Sequence, residues 1–165
     1  MRQVVIVDEQ NNEVGLMEIV AAHTNGGTLH RAFSVYVFSP DGAKICIQRR
    51  SGKKMLWPHI WANTCCSHPF PGEKTDAAAV RRLPEECGIS CPLEEATHFV
   101  YRADDPSGAG TEHEYLAIYR GTYEGDLVPN PDEIEEWRWV DVELLKEEMR
   151  ATPLAFAPWF HLGLK

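Results

Sequence analysis

The chain has 165 residues, 44% of them hydrophobic, and a formal net charge of −9 at neutral pH. That length suits one domain on one core, residues 1–165, and the acidic balance argues against a nucleic-acid partner. Five cysteines, an odd number with Cys65 and Cys66 adjacent, argue against a disulfide framework, and no apolar run approaches membrane-spanning length, so a cytoplasmic protein with no membrane association is expected.

The first element is a strand at Val4-Val5-Ile6-Val7, which lacks the basic, apolar and small-residue order of a signal peptide. Residues 33–38 (Phe-Ser-Val-Tyr-Val-Phe) predict a central strand. Pro40-Asp41-Gly42 marks a turn, and residues 44–48 alternate around Ile45 and Ile47 to pair back as a hairpin. Residues 57–64 read as irregular to extended. Thr75 is the expected cap of a helix through Arg82, Pro84 should kink its last turn, and Gly88 is the expected stop. Strands follow at residues 97–102, 112–119 and 137–140, with a loop at residues 104–110. An amphipathic helix spans residues 144–149, and a final helix spans residues 153–164. The order predicts an α+β fold, a mixed sheet with helices on its faces.

Two stretches carry the chemistry. Asn63-Thr64-Cys65-Cys66-Ser67-His68-Pro69 places a thiol two residues from an imidazole. Glu112-His113-Glu114, on a strand, projects two carboxylates to one face. Such groups can build a metal site, an acid–base pair, or both. Arg49, Arg50, Lys53, Lys54, Arg81 and Arg82 flank the cysteine segment, which suits a cleft for a small anion or an ordinary charged surface.

Around the first helix, Glu73 is followed by Arg81-Arg82-Leu83-Pro84-Glu85-Glu86-Cys87-Gly88-Ile89. This resembles the Nudix box, a loop–helix–loop whose glutamates hold divalent metal against a diphosphate. Ser67 stands where the box has its first glycine, and Arg82 where it has a glutamate. Further motifs occur in order: Ala22-His23-Thr24, Leu29-His30-Arg31-Ala32-Phe33-Ser34, Trp57-Pro58, residues 61–69, Tyr101-Arg102-Ala103, Glu112-His113-Glu114 and Ala157-Pro158-Trp159. Together they resemble the type I isopentenyl-diphosphate Δ-isomerases over nearly the whole chain.

The resemblance implies a Nudix α/β/α sandwich that interconverts isopentenyl and dimethylallyl diphosphate in isoprenoid biosynthesis. It implies a metal site of His23, His30, His68, Glu112 and Glu114, holding Mn2+, Zn2+ or Mg2+. Cys66 and Glu114 would exchange protons with the alkene; the sequence leaves open which of them donates, the favoured order being Glu114 as donor and Cys66 thiolate as acceptor. Tyr101 would sit beside the acid, and the Trp159 indole would stabilise a cation. Arg50, Lys54 and Arg82 would contact the diphosphate, and Glu86 would hold a bridging Mg2+. His59, His98, His113 and His161 are expected outside the site, and Cys46, Cys87 and Cys91 are expected to be packed. Relatives carry a phosphate-contacting lysine where this chain has Ile19, so its loss implies weaker diphosphate affinity, a basic residue supplied from elsewhere, or room for a different allylic or prenyl substrate. The expected partner is a small prenyl diphosphate, and the expected state is a monomer. The competing readings are a Nudix diphosphate hydrolase and a non-catalytic metal or diphosphate sensor.

Overall fold

The computed structural model describes residues 1–165 and is organised around one strand. The elements in order are β1 (Gln3–Val7), β2 (Glu13–Glu18), α1 (Ile19–Ala22), β3 (His30–Phe38), β4 (Lys44–Arg50), β5 (Trp61–Ala62), β6 (Cys65–Ser67), α2 (Thr75–Cys87), β7 (Glu94–Asp104), β8 (Thr111–Thr122), β9 (Ile134–Asp141), α3 (Val142–Ala151) and α4 (Pro158–Gly163). All nine strands join one sheet. β3 runs parallel to β8 from His30↔Glu114 to Phe38↔Thr122, and every other strand pair is antiparallel. The sheet is therefore mixed, as the order of elements predicts.

Side chains on β3 alternate between two cores. Ala32 and Tyr36 pack with Ile45, Ile47, Ile118, Leu145 and Phe160, which places α3 and α4 on one face. Phe33, Val35 and Val37 pack with Ala78, Ala79, Leu83 and Cys87, which places α2 on the other. Burying each large apolar side chain contributes about 1.5–3 kcal/mol. The two cores thus fix the strand order and the α/β/α layering together.

Several expectations change in detail. The hairpin between β3 and β4 is paired only at Val37↔Cys46 and Phe38↔Ile45; β4 then leaves to pair with β9. The vacated edge of β3 receives β6, which brings the cysteine segment into the sheet. Thr75 is the first residue of α2 and not its cap: Lys74 holds the cap position without a side-chain hydrogen bond. The helix continues through Pro84 to Cys87, and Gly88 ends it at φ 69°. Only a glycine adopts that left-handed conformation freely. The last helix is divided in two. A 3-10 turn covers Pro153–Ala155, and Ala157 is extended at ψ 141° because the following Pro158 disfavours helical backbone before it.

Candidate active site

One row of residues across three strands organises the site. Tyr101 on β7 lies opposite Glu114 on β8, and Glu114 lies opposite His30 on β3. Glu112 sits two residues along β8 on the same face. His23 follows α1 directly, and the chain reverses between it and His30 through Asn25, Gly26 and Gly27, all at positive φ. His68 arrives from just past β6.

These side chains converge. His23 Nε2 lies 3.0 Å from Glu112 Oε2, His68 Nε2 lies 3.0 Å from Glu114 Oε1, and the His30 and His68 Nε2 atoms are 3.2 Å apart. All five ligand atoms fall within 4.8 Å of one another. His23 Nδ1 donates to the Ile19 carbonyl at 2.6 Å, and His30 Nδ1 donates to the Thr28 carbonyl at 2.7 Å. Those bonds orient both rings with Nε2 toward the cluster, the arrangement that metal-binding histidines use. Burial would lower His23; the bond and charge of Glu112, the Ile19 carbonyl and the charge of Glu114 together outweigh that and raise it to about 9. Burial, His30 and His23 hold His68 well below the ordinary imidazole range. Five nitrogen and oxygen donors in a buried cluster fit a divalent cation of the manganese, zinc or magnesium kind.

The two adjacent cysteines face opposite ways because strand side chains alternate. Cys65 is fully buried in the α2-side core with Cys87. Cys66 lies opposite Ser34 and borders a cavity of about 440 Å3. Ser34 Oγ and Asn63 Oδ1 each lie 3.1 Å from the Cys66 sulfur. Asn63 Nδ2 donates to the Val35 and Cys65 carbonyls, so its Oδ1 is the atom offered to the thiol. The thiol therefore donates its proton to Asn63. Burial pushes it up to about 11 against the opposing pull of Ser34 and Arg50.

The same cavity is bordered by Glu112, Glu114, His23, His68 and Tyr101, by apolar Met55, Leu56 and Trp159, and by Arg2, Arg50, Lys53 and Lys54. Tyr101 donates to Glu114 Oε2 at 2.7 Å. The Trp159 ring packs edge-on to Trp57 at 5.4 Å, and its buried Nε1 has no hydrogen-bond partner.

A sequence model of the NUDIX domain matches residues 28–160. Isopentenyl-diphosphate Delta-isomerase 2 of Aromatoleum aromaticum is 43% identical over 95% of this chain and 82% of its own length. The isopentenyl-diphosphate Delta-isomerase of Nocardia farcinica is 41% identical over 93% of this chain and 87% of its own. This chain belongs to the isopentenyl-diphosphate Delta-isomerase family and carries a NUDIX domain. Solved structures agree on the fold. A Deinococcus radiodurans protein superposes with a TM-score of 0.74 at 18% identity, covering 91% of this chain and 90% of that one. The MutT protein of Methanosarcina mazei gives 0.60 at 16%, covering 72% and 81%.

Within that family frame, the structure brings together the five expected metal ligands, Cys66, Tyr101 and Trp159. The expected diphosphate contacts divide. Lys54 borders the cavity and pairs with Glu133. Arg50 also borders it, but its Nε and Nη2 donate to the Trp57 and Leu56 carbonyls, and its guanidinium lies 5.1 Å from the Trp159 ring centre. Arg50 thus braces the loop and the indole. Arg82 does not border the cavity: Glu85, Glu86 and Glu133 surround it. Glu86 also lies behind that wall, 1% exposed, and burial raises its carboxyl despite Lys54 and Arg82. The distant Glu133 holds both Lys54 and Arg82, and nothing in the local sequence indicates that. Arg49 and Arg81 are tied to Glu135, Glu136, Glu73 and Glu85, so only part of the expected basic cleft is cleft. His59, His98, His113 and His161 stay outside the cluster. Sequence reasoning missed Arg2, Ser34, Asn63 as an orienting group, and Asp105. No helix is long and apolar enough to cross a membrane.

Proposed function

We propose that the protein interconverts isopentenyl diphosphate and dimethylallyl diphosphate, and that Cys66 and Glu114 exchange the two protons. The observation that carries this reading is that the thiol and the carboxylate border one cavity whose remaining wall includes Leu56 and Trp159. Moving an unactivated double bond requires protonation of one carbon and deprotonation of its neighbour. The path runs through or near a tertiary carbocation. An apolar, aromatic wall excludes water that would trap such a cation, and an indole face stabilises it.

His23, His30, His68, Glu112 and Glu114 would hold one divalent cation as a proposed resident metal. Bound there, it would act as a Lewis acid that fixes and polarises the Glu114 carboxylate. Tyr101 holds the other oxygen of that carboxylate. In the resting protein Cys66 carries its proton toward Asn63, while Glu114 accepts one from Tyr101. We read that arrangement as a protonated Cys66 beside an accepting Glu114, the reverse of the order favoured from sequence. The proposed forward step therefore takes its proton from Cys66 and returns one to Glu114. Lys54, with Lys53, would meet the diphosphate; Glu86, paired with Arg82 at 2.8 Å and buried behind the cavity, would reach a magnesium ion carried by the substrate once that pair opens.

The hydrolase alternative loses support at the box itself. Glu73 is clamped by Arg81 at 2.7 and 2.9 Å, and Glu85 is shared between Arg81 and Arg82. Neither glutamate borders the cavity. Incubation with isopentenyl diphosphate and divalent metal in heavy water, followed by NMR, separates the readings. An isomerase forms deuterated dimethylallyl diphosphate. Phosphate release would indicate a hydrolase, and an unchanged ligand a sensor; either outcome rejects the proposal.

A further inference from the structure

Four cations border the cavity, and three are already committed. Lys53 pairs with Asp132, Lys54 pairs with Glu133, and Arg50 donates to two backbone carbonyls. Arg2 differs. Its Nη2 donates to Ser67 Oγ at 2.8 Å, and it has no carboxylate partner within ion-pair distance. Arg2 is exposed as a residue, but partial desolvation of its guanidinium and the nearby Arg82 pull it down from the ordinary arginine value against the more distant charges of Glu86 and Glu133. A cation short of anions, at the rim of a cavity, is built to receive one.

Its position is informative. β1 and β2 run antiparallel in the register Gln3↔Glu18, and the Ile19 N–H donates to the Arg2 carbonyl at 3.0 Å. Arg2 and Ile19 therefore lie directly opposite each other, where side chains project to the same face. Both border the cavity. A basic side chain from position 2 thus reaches the place where one from position 19 would stand. Ser67, the residue in place of the Nudix glycine, supplies the hydroxyl that braces it. Three apparent oddities of the sequence, Arg2, Ile19 and Ser67, form one contact.

We propose that Arg2, braced by Ser67, is a diphosphate-binding residue that stands in for the lysine absent at Ile19. This rests on the isomerase reading for its natural ligand, but its charge chemistry is tested with magnesium pyrophosphate alone. Calorimetric titration of the full chain compares the parent, Arg2→Gln, Ser67→Gly and the double variant Arg2→Gln with Ile19→Lys. Losing one charge-assisted contact should weaken pyrophosphate binding about tenfold or more in Arg2→Gln, with a smaller loss in Ser67→Gly. Lysine at 19 should restore most of it. The KM for isopentenyl diphosphate should follow the same order, with kcat changing less. Arg2→Gln binding pyrophosphate as the parent does, or no recovery in the double variant, overturns the proposal. A parent that binds pyrophosphate through Arg2 yet fails to isomerise would reject only the isomerase reading. Full turnover with Arg2-independent binding would reject only this one.

Discussion

Asp105→Ala should loosen the aromatic wall of the cavity from a distance. Asp105 is 6% exposed and accepts from the Trp57 N–H at 2.6 Å, from the Ser107 N–H at 2.8 Å and from the Ser107 hydroxyl. Ser107 is exposed, so water can replace its bonds. Trp57 is buried and sits at φ 45°, a left-handed conformation that its bulky side chain disfavours. Removing the carboxylate strands the Trp57 N–H, at about 1–3 kcal/mol, and releases part of what holds that backbone. A total loss of about 1–3 kcal/mol follows. With a urea m-value of about 2 kcal/mol/M, the midpoint should fall by roughly 0.5–1.5 M. The carboxyl is also titratable. Burial would raise it, but the Ser107 and Trp57 bonds hold it below the ordinary aspartate value. Its stabilisation is therefore present above the unfolded pKa of about 4 and disappears as pH falls through the lower folded value. The variant should lose less stability than the parent on acidification. Because Trp57 packs on Trp159, kcat should fall as well. A stability change under about 0.5 kcal/mol, typical of a surface substitution, would refute this account of the wall.

Further outcomes test the site directly. Stripping divalent metal should abolish turnover while leaving the protein folded, and adding manganese or magnesium back should restore it; activity without metal would contradict the proposed His/Glu ligand set. In metal-stripped protein, the ultraviolet thiolate signal that Cys66→Ala removes should titrate near 11, because burial favours the neutral thiol. A midpoint below neutrality would contradict the proposed resting proton on sulfur. Glu114→Gln keeps the shape but removes the proton acceptor, so kcat should fall by at least about a thousandfold; a variant within tenfold of the parent would remove Glu114 from the chemistry.

Much of the fold was readable because its strongest signals are local. The apolar β-forming run around Val35 and the alternation through Leu116 and Ile118 define β3 and β8 without reference to anything distant. β2 was missed because Glu13–Glu18 is largely exposed and includes Gly15, so no buried face alternates along it. β6 has three residues and exists only because β3 offers an edge. At the site, His23, His30, His68, Glu112 and Glu114 were legible from motif order, and the register of β3 with β8 explains their convergence. Arg82 was expected at the substrate because its partner Glu133 is 51 positions away in sequence and invisible from the helix, and Glu86 because its burial beside Arg82 is equally invisible there. Arg2 reads as an ordinary strand-end charge until the backbone pairing sets it across from Ile19.

The most direct test compares the parent, Cys65→Ala and Cys66→Ala on isopentenyl diphosphate in heavy water, following deuterium into product by NMR. Cys65 is buried behind the sheet while Cys66 borders the cavity, so the parent and Cys65→Ala should both turn over and Cys66→Ala should not. An active Cys66→Ala beside an inactive, folded Cys65→Ala would contradict the proposed catalyst.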